Sequence, residues 1–225
     1  MLVLEDGSAY EGYRFGFEEE AYGEVVFNTS MAGYQEMLTD PSYAGQIVVP
    51  TYPLIGNYGI NNEDIESRRI QVRGFVVRED CPTPSHSGSI STLHEYLNSN
   101  SILGINGVDT RALTRRLRSA GVMMGMITSD SPEEALERLR GLPRYDNIDF
   151  VTRVTTEAAY QWEPQGRDPA ASYHIVVVDC GVKYSILRIL SSMGCALTVV
   201  PSTTSAEDIL DLNPDGILTS PGPGD

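Results

Sequence analysis

The sequence predicts an α/β protein whose second part begins a doubly wound domain. The run IVVVD at 175–179 supports this, because a continuous β-branched run is typical of a parallel strand buried on both faces. Two further strand patterns, at 196–200 and 217–219, alternate with helix patterns, as in parallel α/β sheets. The first part, which extends to about Arg153, mixes short strands and turns with three helices.

The helices of the second part have recognisable boundaries. The pattern at 184–193 has an apolar side and precedes Gly194, a residue type that commonly follows a helix. Thr204 and Glu207 have capping-box spacing and predict the start of the next helix. Three strands with two helices are half of a doubly wound domain and leave its sheet incompletely covered, so we expect the natural protein to continue beyond Asp225. The apolar side of the first helix consists of Ile186, Leu187, Leu190 and Met193.

The first part carries its own start and stop signals. Thr92 and Glu95 have capping-box spacing, and Asp109 can cap a helix that Gly121 ends. The sequence SPEE at 131–134 combines a capping serine, a proline at the first helical position and a glutamate three residues after the cap. Strand patterns occur at 2–4, 24–29, 46–50 and 73–77.

A polar stretch with two prolines, 163–172, separates the two parts and is typical of a linker. We therefore predict a first domain at 1–153, a linker at 154–172 and the start of a second domain at 173–225.

The composition argues against several classes of function. The chain has 16 Lys and Arg against 31 Asp and Glu, and the resulting net charge of -15 disfavours binding to nucleic acid. No apolar run reaches the ~18–20 residues of a membrane span, and no secretory signal is visible. The cysteines, Cys81, Cys180 and Cys195, are odd in number and widely spaced, which indicates a reducing compartment and a cytoplasmic location.

Two loops of the second part are candidates for a ligand site, because open α/β sheets bind ligands beyond the carboxyl ends of their strands. These loops are 179–183 and 221–225. The glycines of the second loop allow a ligand close to the backbone, and their N–H groups can stabilise negative charge on a carbonyl oxygen. The alternative is a tight turn that only ends the strand.

Other reactive or charged residues have structural explanations. Cys180 lacks the flanking small residues of a nucleophile elbow, so we predict a buried, inert thiol. Cys81 and His86 lack the paired spacings of a zinc site, so we predict no metal site. One helix carries four arginines, which form either a solvated face or a partner-binding patch. They are Arg111, Arg115, Arg116 and Arg118.

The segment 28–43 is densely polar and ends in an Asp-Pro-Ser turn. It suits either a capped turn, in which Asp40 and Ser42 bond to their own backbone, or a binding loop.

Several motifs in this sequence occur together in one protein family. They are FNTSMAGYQE at 27–36, LTDPSY at 38–43, GNYG at 56–59, DTRALT at 109–114, DCGVK at 179–183, ILR at 186–188, NPDG at 213–216 and SPGPGD at 220–225. Their order resembles that of the small subunit of carbamoyl phosphate synthetase over nearly the whole chain. The last motif alone indicates only the wider group of class I glutamine amidotransferases.

The resemblance implies an N-terminal β/β/α domain, followed by the first βαβαβ part of a flavodoxin-like class I glutamine amidotransferase domain. It implies that the complete protein hydrolyses glutamine through a Cys–His–Glu triad and passes ammonia to a large subunit. That subunit makes carbamoyl phosphate from bicarbonate and ATP. The expected partners are the large subunit and L-glutamine. ATP and a divalent metal are expected on the large subunit, and no cofactor is expected in this chain.

The resemblance also implies that Ser42, Gly222 and Gly224 bind glutamine, with the Gly222 N–H directed at the oxyanion. We expect Ser42 and the glycine-rich loop to meet in space around the substrate. The sequence contains no Gly-x-Cys-x-Gly elbow, so the nucleophilic cysteine and the triad His and Glu are expected beyond 225, and these residues alone are expected to be inactive. Ser185 stands where the family commonly has asparagine.

Two alternative functions remain. The chain could serve as a non-catalytic docking module for the synthetase subunit. It could also be an unrelated flavodoxin-like binding protein, which would need phosphate-binding N–H groups at the first βα turn, where Gly181 is the single glycine.

Overall fold

Two units make up the chain in the computed structural model, Met1–Ile148 and Asp149–Asp225, and the structure describes residues 1–163 and 173–224. Each unit is built around its own sheet. Within 1–163 and 173–224, no helix has the length and apolar character that crossing a bilayer requires.

The first unit, all of whose residues are described, contains one mixed sheet of eight strands in the order β2-β1-β10-β4-β5-β7-β9-β3. These strands are β1 (Leu2–Leu4), β2 (Ala9–Tyr10), β3 (Tyr13–Gly16), β4 (Ala21–Asn28), β5 (Gln46–Pro50), β7 (Gly74–Val76), β9 (Leu103–Asn106) and β10 (Met123–Ile127). Strands β4, β5, β7 and β9 are parallel neighbours, and the flanking pairs are antiparallel. A separate parallel pair joins β6 (Leu54–Ile55) to β8 (Glu79–Asp80).

Both faces of this sheet are buried against a core. Because successive residues of a strand point to opposite faces, neighbouring residues of one strand belong to different cores. In β5, Ile47 and Val49 belong to the core that includes Leu113, whereas Val48 belongs to the core that includes Leu38 and Leu93. The helices of the unit are α1 (Tyr34–Thr39), α2 (Leu93–Ser99), α3 (Thr110–Ala120) and α4 (Pro132–Arg140). Helix α3 packs on β4 and β5, and α4 packs on β1 and β10.

The predicted helix starts of the first unit are confirmed. Thr92 and Glu95 form a complete capping box at α2, and Ser131 and Glu134 form one at α4. The Asp109 carboxylate accepts the Ala112 N–H at 2.9 Å, which caps α3. Each cap satisfies backbone N–H groups that a helix cannot pair internally, which is why these spacings mark helix starts so well.

The described part of the second unit contains four strands in the order β11-β13-β12-β14, of which the last three are parallel. They are β11 (Tyr160–Trp162), β12 (Tyr173–Asp179), β13 (Cys195–Pro201) and β14 (Gly216–Thr219), accompanied by α5 (Val151–Val154), α6 (Tyr184–Ser192) and α7 (Ala206–Asp211). Leu187 of α6 packs on one face of the sheet with Val177, and Ile209 of α7 packs on the other with Val176. The α/β fold class and the half doubly wound second part are thereby confirmed.

Two predictions about the helices of this unit are wrong. The cap of α7 is Ser205, whose hydroxyl accepts the Asp208 N–H at 3.1 Å, and not Thr204. The Thr204 N–H donates to the Pro201 carbonyl at 3.0 Å, so a closed turn precedes the helix and moves its cap one residue on. Met193 is 70% exposed, because it follows the last residue of α6 instead of facing the sheet.

Part of the predicted linker at 154–172 is regular structure. Residues Tyr160–Trp162 form β11, which pairs antiparallel with β13. The stretch 164–172 lies outside the described residues, so the domain limits at 153 and 173 stay a prediction.

Candidate active site

The carboxyl ends of β12 and β14 meet at one edge of the sheet in the second unit. The two strands are parallel neighbours, with Val178 opposite Thr219. The turn after Asp179 and the loop after Ser220 therefore leave the sheet side by side, at the edge where open α/β sheets bind ligands. The structure thus brings together parts of the two loops, 179–183 and 221–225, that the sequence indicates. We call these parts the first turn (180–182) and the glycine loop (221–224).

Ser220 joins the glycine loop to the first turn. Its side chain is buried, and its hydroxyl oxygen accepts the Cys180 N–H at 3.0 Å. The same hydroxyl donates to the Pro221 carbonyl at 2.8 Å, and the Ser220 N–H donates to the Val178 carbonyl at 3.0 Å. Three hydrogen bonds therefore fix the residue from which the glycine loop departs.

Gly222 occupies a position where no side chain fits. A methyl group on its Cα would stand 1.9 Å from the Cys180 carbonyl oxygen and 2.8 Å from the Cys180 carbonyl carbon. Both are backbone atoms, which cannot turn aside as a flexible side chain can. The loop consequently lies directly on the first turn, and glycine is required for that approach.

Gly224 is required for a different reason. Its φ of +91° lies in the left-handed region that glycine alone adopts readily, whereas a methyl group there would meet no atom of the described residues within 4 Å. The two glycines that the sequence predicts as ligand contacts are thus required by the loop itself, Gly222 for its close contact with the first turn and Gly224 for its left-handed backbone.

Asp179 organises the first turn from inside the protein. The residue is 6% exposed, and its carboxylate accepts N–H groups from Gly181 at 2.9 Å, Val182 at 2.7 Å and Thr156 at 2.8 Å. Its carbonyl accepts the Thr155 hydroxyl at 2.5 Å. Backbone N–H donors compensate the negative charge of this buried carboxylate. The carboxylate therefore fixes the first turn and holds the chain that follows α5 against that turn.

Cys180 has the environment of an unreactive thiol. Burial, together with the nearby Asp179 carboxylate, raises the pKa of the thiol. A thiol with a raised pKa is protonated at neutral pH and is a poor nucleophile. This agrees with the prediction that Cys180 is inert, although the residue is only partly buried.

Ser42 lies in the first unit, in a short 3-10 helix, Pro41–Tyr43, that follows α1. The Asp40 carboxylate accepts the Ser42 N–H at 2.9 Å and thereby caps this turn. Ser42 is half-buried, and its hydroxyl makes no hydrogen bond within the described residues. Ser42 therefore contributes only its backbone to the turn, and its hydroxyl is free for another partner.

Other residues of the segment 28–43 support the structure. The Tyr58 hydroxyl accepts the N–H groups of Gly33 at 2.8 Å and Tyr34 at 3.1 Å, and so caps α1. The rings of Tyr34 and Tyr58 stack with centroids 4.1 Å apart. The Gln35 amide donates to and accepts from the backbone of Asn61, at 2.5 and 2.9 Å. These contacts join the segment to residues 58–61, which lie in and just after the GNYG motif.

The arginines of α3 are exposed, as a solvated helix face requires. Arg116 pairs with Asp6 at 2.6 Å. Exposure suits both a solvated face and a partner-binding patch, so the patch stays a prediction.

The sequence did not assign roles to Ser220, Asp179 or Thr155. The available signal was positional: a serine directly before a Pro-Gly-Pro-Gly loop and an aspartate at the end of a buried strand both stand where strands deliver functional residues.

Comparisons with known proteins match both units. Residues 2–127 match the family model "Carbamoyl-phosphate synthase small chain, CPSase domain", and residues 176–225 match "Glutamine amidotransferase class-I". The second match agrees with a sheet that carries the opening strands of a flavodoxin-like domain, so this unit has the fold of the start of a class I glutamine amidotransferase domain.

Curated relatives extend the match to the whole chain. Proteins named carbamoyl phosphate synthase small chain are 49% identical in Syntrophotalea carbinolica, 46% in Aquifex aeolicus and 49% in Methanopyrus kandleri. These alignments cover 100% of this chain and 63%, 63% and 62% of the relatives. The chain thus spans a little under two thirds of the length of the curated relatives it matches. It belongs to the carbamoyl phosphate synthase small chain family.

Proposed function

We propose that the complete protein hydrolyses glutamine and supplies the ammonia to a large chain, which makes carbamoyl phosphate from bicarbonate and ATP. The observation that carries this proposal is the glycine loop, held on the first turn at the carboxyl edge of the parallel sheet within the amidotransferase match. ATP and a divalent metal belong to the large chain in this proposal. The large chain and L-glutamine are the partners of this chain.

The glycine loop suits the chemistry of amide hydrolysis. Attack of a thiolate on the side-chain carbonyl of glutamine places negative charge on the carbonyl oxygen, and fixed backbone N–H groups stabilise such an oxyanion. In our proposal Gly222 supplies one of these N–H groups, Gly224 contacts the substrate, and the Ser42 hydroxyl donates to or accepts from glutamine. The nucleophilic cysteine and its His and Glu partners come from residues outside this sequence, because no Gly-x-Cys-x-Gly elbow occurs in it.

The direct test compares the full-length small chain with residues 1–225, each combined with the large chain. We expect glutamate release and glutamine-dependent carbamoyl phosphate synthesis from the full-length complex only. Synthesis from added ammonia serves as the control, because it requires the large chain alone. A full-length complex that assembles and uses ammonia, but releases no glutamate from glutamine, contradicts the proposal and leaves the docking-module function.

Ser42→Ala in the full-length complex is expected to raise KM for glutamine about five- to tenfold, the effect of losing one ligand hydrogen bond. Stability should change little, since the hydroxyl makes no hydrogen bond within the described residues. Steady-state kinetics and thermal unfolding measure the two effects.

Ser8→Ala is the matched control for that variant. The Ser8 N–H donates to the Asp6 carboxylate at 2.8 Å, so Ser8 lies in the same kind of Asp-x-Ser turn as Ser42. Its replacement should leave KM for glutamine unchanged. Equal kinetics for the Ser42 variant, the Ser8 variant and the wild type would show that Ser42 is only a turn residue.

A further inference from the structure

We propose that Ser220 is a positioning residue for glutamine hydrolysis, and that its hydroxyl sets the place of the glycine loop on the first turn. This inference rests on the proposed function and gives Ser220 a role that requires no contact with the substrate. Ser220 acts through Gly222, the residue whose backbone N–H faces the developing oxyanion in our proposal.

The backbone N–H and the carbonyl oxygen of Cys180 together define the position of the glycine loop. The Cys180 N–H donates to the Ser220 hydroxyl at 3.0 Å, and the Cys180 carbonyl oxygen lies against the Cα of Gly222, where a methyl group would come within 1.9 Å of it. The loop is therefore attached by a hydrogen bond at its start and limited by a steric contact two residues later. A small shift at Ser220 moves Gly222 relative to the first turn.

The first turn is a rigid reference for this attachment. The buried Asp179 carboxylate accepts the N–H groups of Gly181 and Val182, so the residues after Cys180 are fixed independently of the glycine loop. The Cys180 N–H is consequently presented in a constant direction, and it needs an acceptor there. The Ser220 hydroxyl supplies that acceptor, and its own proton is directed to the Pro221 carbonyl at 2.8 Å.

This double use of the hydroxyl distinguishes serine from its possible replacements. Alanine would leave the Cys180 N–H without its partner and would free the Pro221 carbonyl. Of the three hydrogen bonds at this residue, only the bond from its N–H to the Val178 carbonyl would remain. Threonine keeps an oxygen that can accept and donate. Cysteine keeps the shape of serine but offers only a weak acceptor and donor. The three variants therefore separate the hydrogen bonds from the packing of the side chain.

The experiment uses the full-length small chain assembled with its large chain. We expect Ser220→Ala to lower kcat/KM for glutamine about tenfold or more, because displacing a transition-state donor by a fraction of an ångström is costly. We expect Ser220→Thr to retain activity within about threefold and Ser220→Cys to behave like alanine. Carbamoyl phosphate synthesis from ammonia should be unchanged in all three.

Ser192→Ala is the matched control. Ser192 is the last residue of α6, at the end of that helix away from the first turn, and its hydroxyl donates to the Ile189 carbonyl at 2.7 Å. The variant loses one serine hydrogen bond in the same unit and should leave glutamine kinetics unchanged. It therefore shows whether a loss of stability alone, without a shift of the glycine loop, affects glutamine use.

The outcomes distinguish this inference from the proposed function. A wild-type complex that uses ammonia but not glutamine overturns the proposed function and the role of Ser220 with it. A wild-type complex that uses glutamine, together with Ser220→Ala kinetics equal to wild type, overturns the role of Ser220 alone. If the alanine variant fails to assemble, the threonine and cysteine variants decide, and equal activity of those two overturns the role.

Discussion

Gly222→Ala is expected to lower glutamine-dependent carbamoyl phosphate synthesis by about a hundredfold or more in the full-length complex, while synthesis from ammonia persists. The added methyl group would stand 1.9 Å from the Cys180 carbonyl oxygen, a distance that no rotation of a side chain relieves. The loop must therefore move by roughly an ångström, and a displacement of that size at a reacting centre typically costs about two orders of magnitude in rate. Parallel assays with glutamine and with ammonia measure the effect.

Gly194→Ala provides the control for this substitution. Gly194 has φ +84°, and a methyl group there would meet no atom of the described residues within 4 Å, so the variant introduces backbone strain without a clash. Strain of this kind costs about 1 kcal/mol of stability and should leave glutamine use unchanged. Gly222→Ala with kinetics like those of Gly194→Ala would show that the close contact with Cys180 does not position the catalytic loop.

Local signals in the sequence predicted the structure best where one short-range interaction decides the conformation. Capping boxes are such interactions, and those at Thr92 and Ser131 were located correctly. The capping box predicted at Thr204 failed because Ser205 and Asp208 have the same spacing one residue later. The choice between the two registers depends on the preceding turn, which the cap spacing does not encode.

One of the missed strands, β10, consists mostly of residues that lack strand preference. Strand β10 has the sequence MMGMI and lies between β1 and β4 in the sheet, with all five residues buried. Methionine and glycine carry little preference for extended structure, so packing from both neighbouring strands determines this element. Gly125 within it has Val25 and Leu4 against its Cα, which explains why a residue without a side chain lies in the middle of a strand.

The location of the candidate site was predictable from the sequence, but the hydrogen bonds that hold its loops in place were not. Parallel strands deliver their following loops to one edge, so the sequence order predicted that the first turn and the glycine loop would both lie at the carboxyl edge of the sheet. The hydrogen bond that the Ser220 hydroxyl accepts from Cys180 depends on the register between β12 and β14, in which Val178 lies opposite Thr219. The bond that the Asp179 carboxylate accepts from Thr156 joins residues that are 23 positions apart in the chain. Neither bond follows from the local sequence pattern. The polar segment 28–43 left a structural and a binding role open, whereas the contacts of Tyr58 and Gln35 show which residues support the fold.

Asp179→Asn is expected to destabilise the second unit by about 2 kcal/mol, although it changes only one atom of the side chain. The amide keeps one oxygen, which can still accept from Gly181 and Val182, but its NH2 group would face the Thr156 N–H that the carboxylate now accepts at 2.8 Å. Two donors then oppose each other at a residue that is 6% exposed, where water cannot compensate. Chemical unfolding of the full-length protein measures the loss, and amide hydrogen exchange should localise it to Thr156 and the first turn.

Asp215→Asn is the matched control, because it makes the same chemical change at an exposed aspartate. The Asp215 carboxylate accepts one backbone N–H, from His174 at 2.7 Å, and the residue is exposed, so water can replace the lost interaction. We expect that variant to cost less than about 1 kcal/mol. If the two variants are equally stable, the buried carboxylate does not organise the first turn. If Asp179→Asn alone is destabilised, and glutamine kinetics decline with it while ammonia-dependent synthesis persists, the carboxylate anchors the surface on which the glycine loop rests.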